Sequence, residues 1–345
     1  MRTELLPLAS HDPAEPGVRQ ALQRAAGLIR AGGLVAFPTE TVYGLGADAL
    51  DAAATAAIFT AKARALNDPL IVHVDAPDLD ALGARGVIGP LTARQRQRAR
   101  RLIDAFWPGP LTLVLPRGAR VPATVTAGGD SVAVRMPRHP IALALIAAAG
   151  TPIAAPSANR FGHVSPTTAA HVREDLDGRI DLILDGGPTD IGVESTVVDL
   201  REDASRLLRP GGAAREDIEA ALGQPLLRPE ARRVAASPGL LDKHYAPRAA
   251  LRSAQDLDGL RAIVAEERAR GQRVGALLNA HDLAALGDPA PAYCLGDTLE
   301  AVARGLYAGL RALDAAGVDV IIHRSITGPG LAEALADRLR RAAAR

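Results

Sequence analysis

The amino-acid sequence predicts an α/β protein of α+β-like character, in which a mixed twisted sheet with helices precedes a smaller Rossmann-like α/β unit. Over the first 223 residues, short apolar strands and amphipathic helices follow one another without strict βα alternation. Beyond residue 249 the alternation becomes regular, with strand-like runs at residues 274–278 and 318–323. With 345 residues the chain is longer than one core usually supports, so we expect two domains.

Hydrophobic spacing locates the elements of the first domain. Apolar residues recur with helical spacing over residues 18–30, a pair of glycines ends that helix, and residues 34–37 form a continuous apolar strand. The other strands are predicted at residues 70–74, 111–115, 131–135, 152–155, 180–184, 195–200 and 206–208. The other helices are predicted at residues 52–65, 92–106, 141–149, 168–176 and 214–222.

The segment 224–249 separates the two domains. It holds four prolines and clustered arginines without clear periodicity, which is typical of a linker. Beyond it, helices predicted at residues 257–270, 298–316 and 332–343 alternate with strands, but no G-x-G-x-x-G follows a strand, so dinucleotide binding is not indicated. The predicted organisation is a first domain at 1–223, a linker at 224–249 and a second domain at 250–345.

Composition and charge exclude several classes of protein. Lys and Arg number 40 and Asp and Glu 39, so no global charge draws the chain to nucleic acid or membrane. The lone cysteine, Cys294, excludes an internal disulfide framework and a multi-cysteine metal site, and we expect no metal bound by protein ligands alone. The chain shows no signal segment and no run of roughly 20 apolar residues, so we expect a cytoplasmic protein without a membrane anchor.

The segment PTETVYGLGAD, which follows the first apolar strand of the domain, is the most informative. It brings five hydroxyl or acid side chains together: Thr39, Glu40, Thr41, Tyr43 and Asp48. The two threonines alternate along the chain and should face the same side. A lone threonine in a strand is usually explained by β propensity, whereas two of them behind a proline indicate an edge that faces a ligand.

Two further features follow that segment. Lys62 and Arg64 end a helix just before a turn, and fixed cations of this kind can balance a polyphosphate, although on their own they are also typical of a solvated helix end. His73 lies within the apolar run LIVHV, where the ordinary interpretation is a hydrogen-bonded core histidine. Together with the hydroxyls, these residues indicate an enzyme that uses a nucleotide.

Four more motifs lie downstream, each weak on its own: SVAVRMP from residue 131, AAPSAN from residue 154, GVESTVVD from residue 192 and LRPG from residue 208. In this order and spacing, and with SPGLLDKHYAP in the linker, they resemble the YrdC-like family of threonylcarbamoyl-AMP synthases in its long, two-domain form. The resemblance is strong over about residues 20–250 and weaker beyond.

The resemblance implies a YrdC-like open twisted sheet with a concave face that holds ligands. It also implies a nucleotidyltransferase that makes L-threonylcarbamoyladenylate and pyrophosphate from ATP, L-threonine and bicarbonate, with Mg²⁺ accompanying ATP. The product would serve a downstream tRNA threonylcarbamoyl transferase in the modification of tRNA next to the anticodon.

Roles for individual residues come from the same resemblance. The implied catalytic group is Lys62, Arg64 and His73. The implied contacts to L-threonine are Thr41, His73, Arg135, the Ala155 backbone and Ser195. The implied contacts to ATP are Lys62, Arg64, Asp68, Ser131, Ser157, Asn159, Ser165, Arg209 and, from a linker that folds over the active site, Tyr245. Asp68 departs from the asparagine expected there, and an acid beside a triphosphate is repulsive unless Mg²⁺ lies between them.

A second hypothesis treats the chain as a non-catalytic module that binds double-stranded RNA or tRNA. A basic helix carries five arginines: Arg94, Arg96, Arg98, Arg100 and Arg101. Their spacing scatters them around the helix, so either simple solvation or contact with RNA phosphates explains them. Direct binding of tRNA, the oligomeric state and the role of the C-terminal domain are left open by the sequence.

Overall fold

The computed structural model describes residues 2–228, 246–287 and 291–344. They form a large mixed sheet flanked by helices and a second, all-parallel sheet of four strands, as the sequence predicts. No helix within the described ranges has both the length and the apolar character needed to cross a membrane.

The large sheet has ten strands in the order β1-β8-β2-β3-β7-β4-β6-β5-β9-β10. In chain order the strands are β1 (Glu4–Pro7), β2 (Val35–Phe37), β3 (Gly44–Asp48), β4 (Ile71–His73), β5 (Leu111–Pro116), β6 (Ser131–Arg135), β7 (Ile153–Ala154), β8 (Leu182–Asp185), β9 (Thr196–Asp199) and β10 (Arg206–Arg209). The helices of this part are α1 (Pro16–Arg30), α2 (Ala52–Lys62), α3 (Leu79–Ala84), α4 (Ala93–Phe106), α5 (Pro140–Ala149), α6 (Ala169–Leu176) and α7 (Arg215–Leu222).

Parallel and antiparallel neighbours alternate irregularly across the large sheet. For example, β4 pairs with β6 in parallel and with β7 antiparallel, and β5 pairs with β9 in parallel and with β6 antiparallel. Helices α1 and α5 pack on each other in one apolar core, and a second, larger core lies around α2, α4 and α7. The sheet is therefore a rigid platform covered by helices.

The smaller unit contains strands in the order β11-β14-β12-β13. Its elements are β11 (Ala250–Ala254), α8 (Leu257–Ala269), β12 (Val274–Asn279), α9 (Ala280–Ala285), β13 (Ala292–Leu295), α10 (Leu299–Ala315), β14 (Val320–Arg324) and α11 (Leu331–Ala343). We call its described residues, 246–344 without 288–290, the C-terminal domain. Every strand pair in it is parallel and each connection contains a helix, which is the Rossmann-like arrangement that the sequence predicts.

The sequence misses several elements, and β3 shows why. The strand reads GLGAD and lacks the β-branched and aromatic residues that favour strands. Its glycine at position 46 is required by packing, because a Cβ atom there would lie 2.8 Å from Ile153 and from Phe37. The other elements without a clear sequence signal are β1, α3, β11, α9 and β13. Helix α2, predicted to reach residue 65, ends at Lys62, because Ala63 adopts a left-handed conformation with φ 51°.

The five arginines of the basic helix α4 all have partners within the protein. Arg98 is buried and donates to the carbonyl oxygens of Leu200 (3.1 Å) and Asp203 (2.9 Å), among others. Arg96 and Arg100 both face the carboxylate of Asp80, at 2.6 and 3.7 Å. Arg94 contacts the carboxylate of Asp203, and Arg101 donates to the Leu222 carbonyl. The helix is therefore engaged in intramolecular contacts, which weakens the RNA-binding interpretation.

Candidate functional site

A cleft with a cavity volume of about 40 Å³ lies against one face of the large sheet. It is lined by Thr39, Thr41, Val42, Tyr43, Gly44, Arg64, Ile71, His73, Arg135, Ala155, Pro156, Ser157, Glu194, Ser195 and Arg209. Alternate residues of a strand point to the same face, which is why Ile71 and His73 of β4 both reach it. Three arginines in one cleft make it suited to an anionic ligand.

Arg135 ends β6 and joins two parts of the cleft wall. Its Nη2 atom lies 2.7 Å from Glu40 Oε1 in a buried ion pair, and Nη1 donates to Thr41 Oγ1 at 3.0 Å. Burial raises the pKa of Glu40, but the charge and hydrogen bond of Arg135 and backbone hydrogen bonds outweigh it, so the net pKa is lowered. A guanidinium carries five N–H groups, so Arg135 can hold Glu40 and still offer donors to a substrate carboxylate.

The two threonines ahead of β3 meet as the sequence predicts. Thr39 Oγ1 lies 2.8 Å from Thr41 Oγ1 and donates to the Val42 carbonyl at 2.7 Å. Tyr43, two residues further on, donates its hydroxyl to the Gly187 carbonyl at 2.7 Å. These bonds hold an otherwise irregular segment in one conformation, with the Thr41 hydroxyl between Thr39 and Arg135.

His73 ends β4 and is buried beside Arg135. Its Nδ1 atom has no hydrogen-bond partner among the described residues, and its ring meets Phe37 edge-on with centroids 6.3 Å apart. Burial, followed by repulsion from Arg135, lowers the pKa of His73 to about 3. The imidazole is therefore neutral near pH 7, which suits a group that forms hydrogen bonds to a ligand better than a general base.

Arg64 enters the cleft from the turn after α2. Its Nη2 atom lies 2.9 Å from Asp68 Oδ2 in a buried ion pair, and the same atom donates to the Pro69 carbonyl at 2.8 Å. The acid at position 68, where asparagine was expected, therefore has its charge balanced by an arginine four residues earlier. The pairing explains how this acid is accommodated beside a cleft that is suited to anions.

Lys62 lies beneath the cleft and does not line it. Its side chain is fully buried, and its Nζ atom donates to the carbonyl oxygens of Ser157 and Asn159. Burial, followed by repulsion from Arg64, lowers the pKa of Lys62 well below its ordinary value. Its ammonium group anchors the loop that follows β7, which carries Ser157 into the cleft.

Ser195 and Arg209 form the opposite wall. Arg209 Nε and Nη2 both donate to the Ser195 carbonyl, at 3.1 and 2.9 Å, and Ser195 Oγ lies 2.8 Å from Thr112 Oγ1. The chain between β10 and α7 presses against this segment at Gly211, where a Cβ atom would lie 2.3 Å from the Glu194 carbonyl. The glycine is needed for that close approach.

The structure brings together eight of the predicted contacts as cleft lining: Thr41, Arg64, His73, Arg135, Ala155, Ser157, Ser195 and Arg209. Four others lie next to the lining: Lys62, Asp68, Asn159 and Ser165. Ser131 starts β6, opposite Pro116 and four residues from Arg135, so it lies at the far end of the strand. Tyr245 lies outside the described residues. The individual roles in ligand binding stay predictions.

Sequence reasoning assigned no role to Glu194, which lines the cleft. The carboxylate is buried and accepts a hydrogen bond from Ser165 Oγ at 2.6 Å. Burial raises its pKa, but Arg338, Arg209 and that hydrogen bond outweigh burial and lower the pKa to about 2. The available signal was a single acid directly before the apolar run of β9, since a charge in that position needs a buried partner.

The cleft offers both cationic groups and uncharged hydrogen-bonding groups. Arginine side chains can bind carboxylate or phosphate oxygens, while the threonine hydroxyls and the neutral imidazole offer short-range hydrogen bonds. Among the described residues, no three His, Cys, Asp or Glu side chains gather as a metal-binding group. The arginines, hydroxyls and imidazole that line the cleft are groups of the kind that bind and position polar ligands.

Two family models match this chain. The Sua5/YciO/YrdC model, described as telomere recombination, matches residues 27–211, and the model for the C-terminal domain of threonylcarbamoyl-AMP synthase matches residues 213–344.

Similar proteins match nearly the whole chain. A Pyrococcus abyssi protein named threonylcarbamoyl-AMP synthase is 45% identical over 327 residues, which is 92% of this chain and 92% of the relative. A Bacillus subtilis protein of the same name is 43% identical over 342 residues, covering 97% and 94%. The crystal structure of P. abyssi Sua5 complexed with L-threonine has a TM-score of 0.88 at 41% identity, covering 99% of this chain and 98% of that one.

Proposed function

Since the chain belongs to the Sua5/YciO/YrdC family and carries the C-terminal domain of threonylcarbamoyl-AMP synthases, we propose that it is itself a threonylcarbamoyl-AMP synthase. The family resemblance drawn from the motifs is thereby confirmed, and the named relatives indicate an enzyme. The observation that supports the specific activity is the cleft, which Arg64, Arg135 and Arg209 line together.

The proposed reaction has two bond-forming steps. The amine nitrogen of L-threonine bonds to the carbon of CO₂ supplied by bicarbonate and loses a proton, which gives N-carboxythreonine. A carboxylate oxygen of that carbamate then attacks the α-phosphorus of ATP in line, the bond from that phosphorus to the bridging oxygen breaks, and pyrophosphate leaves. A transfer of this kind depends on positioning and on balancing charge.

We assign the L-threonine side of the cleft to Thr41, His73, Arg135 and Ser195, with the Ala155 backbone beside them. Arg135 would take the substrate carboxylate in its remaining donors, and the neutral His73 would orient the substrate through a hydrogen bond. Glu40, ionised because Arg135 faces it, fixes that guanidinium in place.

We assign the ATP side to Arg64, Ser157 and Arg209, supported from below by Lys62, Asp68, Asn159 and Ser165. Arg64 and Arg209 would offset the charge of the triphosphate. Mg²⁺ is expected to arrive with ATP, held chiefly by phosphate oxygens and water, a mode that needs few protein ligands. The Oδ1 atom of Asn159 is buried and has no hydrogen-bond partner among the described residues. An amide oxygen of this kind can coordinate Mg²⁺ directly or through a water molecule.

The test is pyrophosphate release by purified protein with ATP, bicarbonate and Mg²⁺, to which each of the twenty amino acids is added in turn. We expect release with L-threonine alone, with the product identified as threonylcarbamoyl-AMP by mass spectrometry. Release with another amino acid would keep the chemistry and overturn the specificity. No release with any amino acid would overturn the proposal and return attention to RNA binding. A tRNA threonylcarbamoyl transferase is the proposed consumer of the product.

A further inference from the structure

We propose that the C-terminal domain completes the catalytic cleft, with Arg338 and Tyr307 acting as positioning residues on Glu194. The inference rests on the proposed function, because it concerns how the cleft is kept ready for ATP and L-threonine. It assigns a role to a domain whose purpose the sequence leaves open.

The contacts on Glu194 come from both domains. Its Oε2 atom accepts a hydrogen bond from Arg338 Nε at 2.7 Å and another from the Tyr307 hydroxyl at 2.9 Å. Its Oε1 atom accepts from Ser165 at 2.6 Å. Tyr307 lies in α10 and Arg338 in α11, whereas the acid and Ser165 belong to the large-sheet domain. The carboxylate is thus held from two sides.

Arg338 spans two segments of the cleft wall with one guanidinium. Besides its contact with Glu194, its Nη2 atom donates to the Pro210 carbonyl at 3.0 Å. Glu194 immediately precedes Ser195, and Pro210 immediately follows Arg209, and both of those neighbours line the cleft. Because Arg209 also donates to the Ser195 carbonyl, displacement of either segment would move both cleft residues.

The backbone of α10 packs closely against Gly192, two residues before Glu194, and leaves that part of the chain little room to shift. Gly192 has φ 83°, and a Cβ atom there would lie 2.3 Å from the Ala303 carbonyl. Val42 lines the cleft, and Val193 directly precedes Glu194. Both valines belong to one apolar cluster with Leu306 and other residues of the C-terminal domain. The domain therefore fits closely against the chain that carries the cleft residues.

The Glu194 carboxylate also brings a negative charge to the cleft wall. The low pKa of Glu194 means that a full negative charge lines a cleft proposed to receive a triphosphate. Arg338, whose side chain is fully buried, forms an ion pair with that carboxylate at 2.7 Å. Without Arg338, a buried carboxylate would lose its main counter-charge and repel the phosphates.

The experiment compares two arginine variants of the full-length chain. Arg338→Met removes the contact with Glu194. Arg304→Met is the control, because the exposed Arg304 side chain of α10 donates to the Asp190 carbonyl at 3.2 Å and makes no contact with Glu194. We expect Arg338→Met to raise the KM for ATP about tenfold or more, with kcat within about threefold of wild type. The control should leave the KM unchanged.

Two further measurements separate positioning from general stabilisation. Hydrogen exchange of the amides in residues 192–211 should become faster in Arg338→Met and stay as in wild type in the control. Adding Glu194→Gln to Arg338→Met should bring the KM for ATP back to within about threefold of wild type, because the amide removes the uncompensated charge. Where Arg338→Met fails to fold, Tyr307→Phe, which removes only a hydroxyl, should shift KM and exchange in the same direction.

Unchanged KM and unchanged exchange in Arg338→Met would overturn the inference and leave the contact a purely stabilising one. A KM that stays raised in the double variant would overturn its electrostatic part. Failure of the proposed function is distinguishable, because wild-type protein would then release no pyrophosphate, while the exchange measurement would still decide whether Arg338 holds residues 192–211.

Discussion

His73 and Arg135 lie directly opposite each other in the register of the parallel strands β4 and β6. Each is the last residue of its strand, and both side chains line the cleft. The register places an uncharged ring and a fixed cation side by side. The cation repels a proton on the ring, and burial acts in the same direction. The pair thus combines one hydrogen-bonding group and one charged group on a single sheet edge.

This relationship predicts how stability depends on pH. The folded-state pKa of His73, about 3, lies below the ordinary value of 6.5, so between those values the unfolded chain binds a proton that the folded chain does not. The free energy of unfolding contributed by this group is therefore present above pH 6.5 and is lost as pH falls toward 3, by up to about 1.4 kcal/mol per pH unit.

Urea unfolding of wild type and His73→Gln at several pH values between 7.5 and 4.5 tests that dependence. The variant should lose stability less steeply below pH 6.5, by about 1.4 kcal/mol per pH unit. Parallel curves for the two proteins would contradict the assignment of a neutral, buried His73. His139 and His171, whose pKa values burial lowers to about 4, should contribute the slope that persists in the variant.

The buried pair of Glu40 and Arg135 should show strong energetic coupling. Removing one partner leaves the other charge buried without its counter-ion, so Glu40→Gln and Arg135→Met should each reduce the free energy of unfolding by about 3 kcal/mol or more. The double variant should cost clearly less than the two single changes added together. Measurement is by urea unfolding at pH 7.5, and additive losses would show that the two side chains do not depend on each other.

Lys62 distinguishes a loop anchor from a phosphate contact. If its ammonium group holds the Ser157 and Asn159 carbonyls, Lys62→Met should lower the free energy of unfolding in the absence of ATP by about 1–3 kcal/mol, because buried acceptors lose their donor. The KM for ATP should rise as the loop loosens. A raised KM with unchanged stability would instead indicate a direct contact between Lys62 and the phosphates.

Two serines that the family resemblance places on ATP should behave differently. Ser157 lines the cleft, whereas Ser131 lies at the other end of β6 from Arg135. We expect Ser157→Ala to raise the KM for ATP about threefold to tenfold, as the loss of a ligand hydrogen bond does, and Ser131→Ala to leave it unchanged. Equal increases in the two variants would show that the nucleotide extends along the whole strand.

The sequence by itself determined the mixed α/β fold class and most helices and strands, because hydrophobic periodicity reflects which face of each element is buried. It also located eight of the residues that line the cleft, since their motifs carry residue types whose chemistry suits a small anionic ligand. Strand β3 was not predicted because its glycines are required by close packing against Phe37 and Ile153, and these contacts form only in the folded protein.

Only the tertiary structure decided which partners these groups have. Lys62 and Arg64 look alike in sequence, yet folding places one beneath the cleft on two carbonyls and the other in its wall beside Asp68. The sequence could not show which partner balances Glu194, because that arginine is 144 residues away in another domain. A local sequence pattern reflects the helix or strand propensity of a segment and which of its faces is buried. Ion pairs and close backbone contacts join residues that are distant in sequence, so they are defined only after folding.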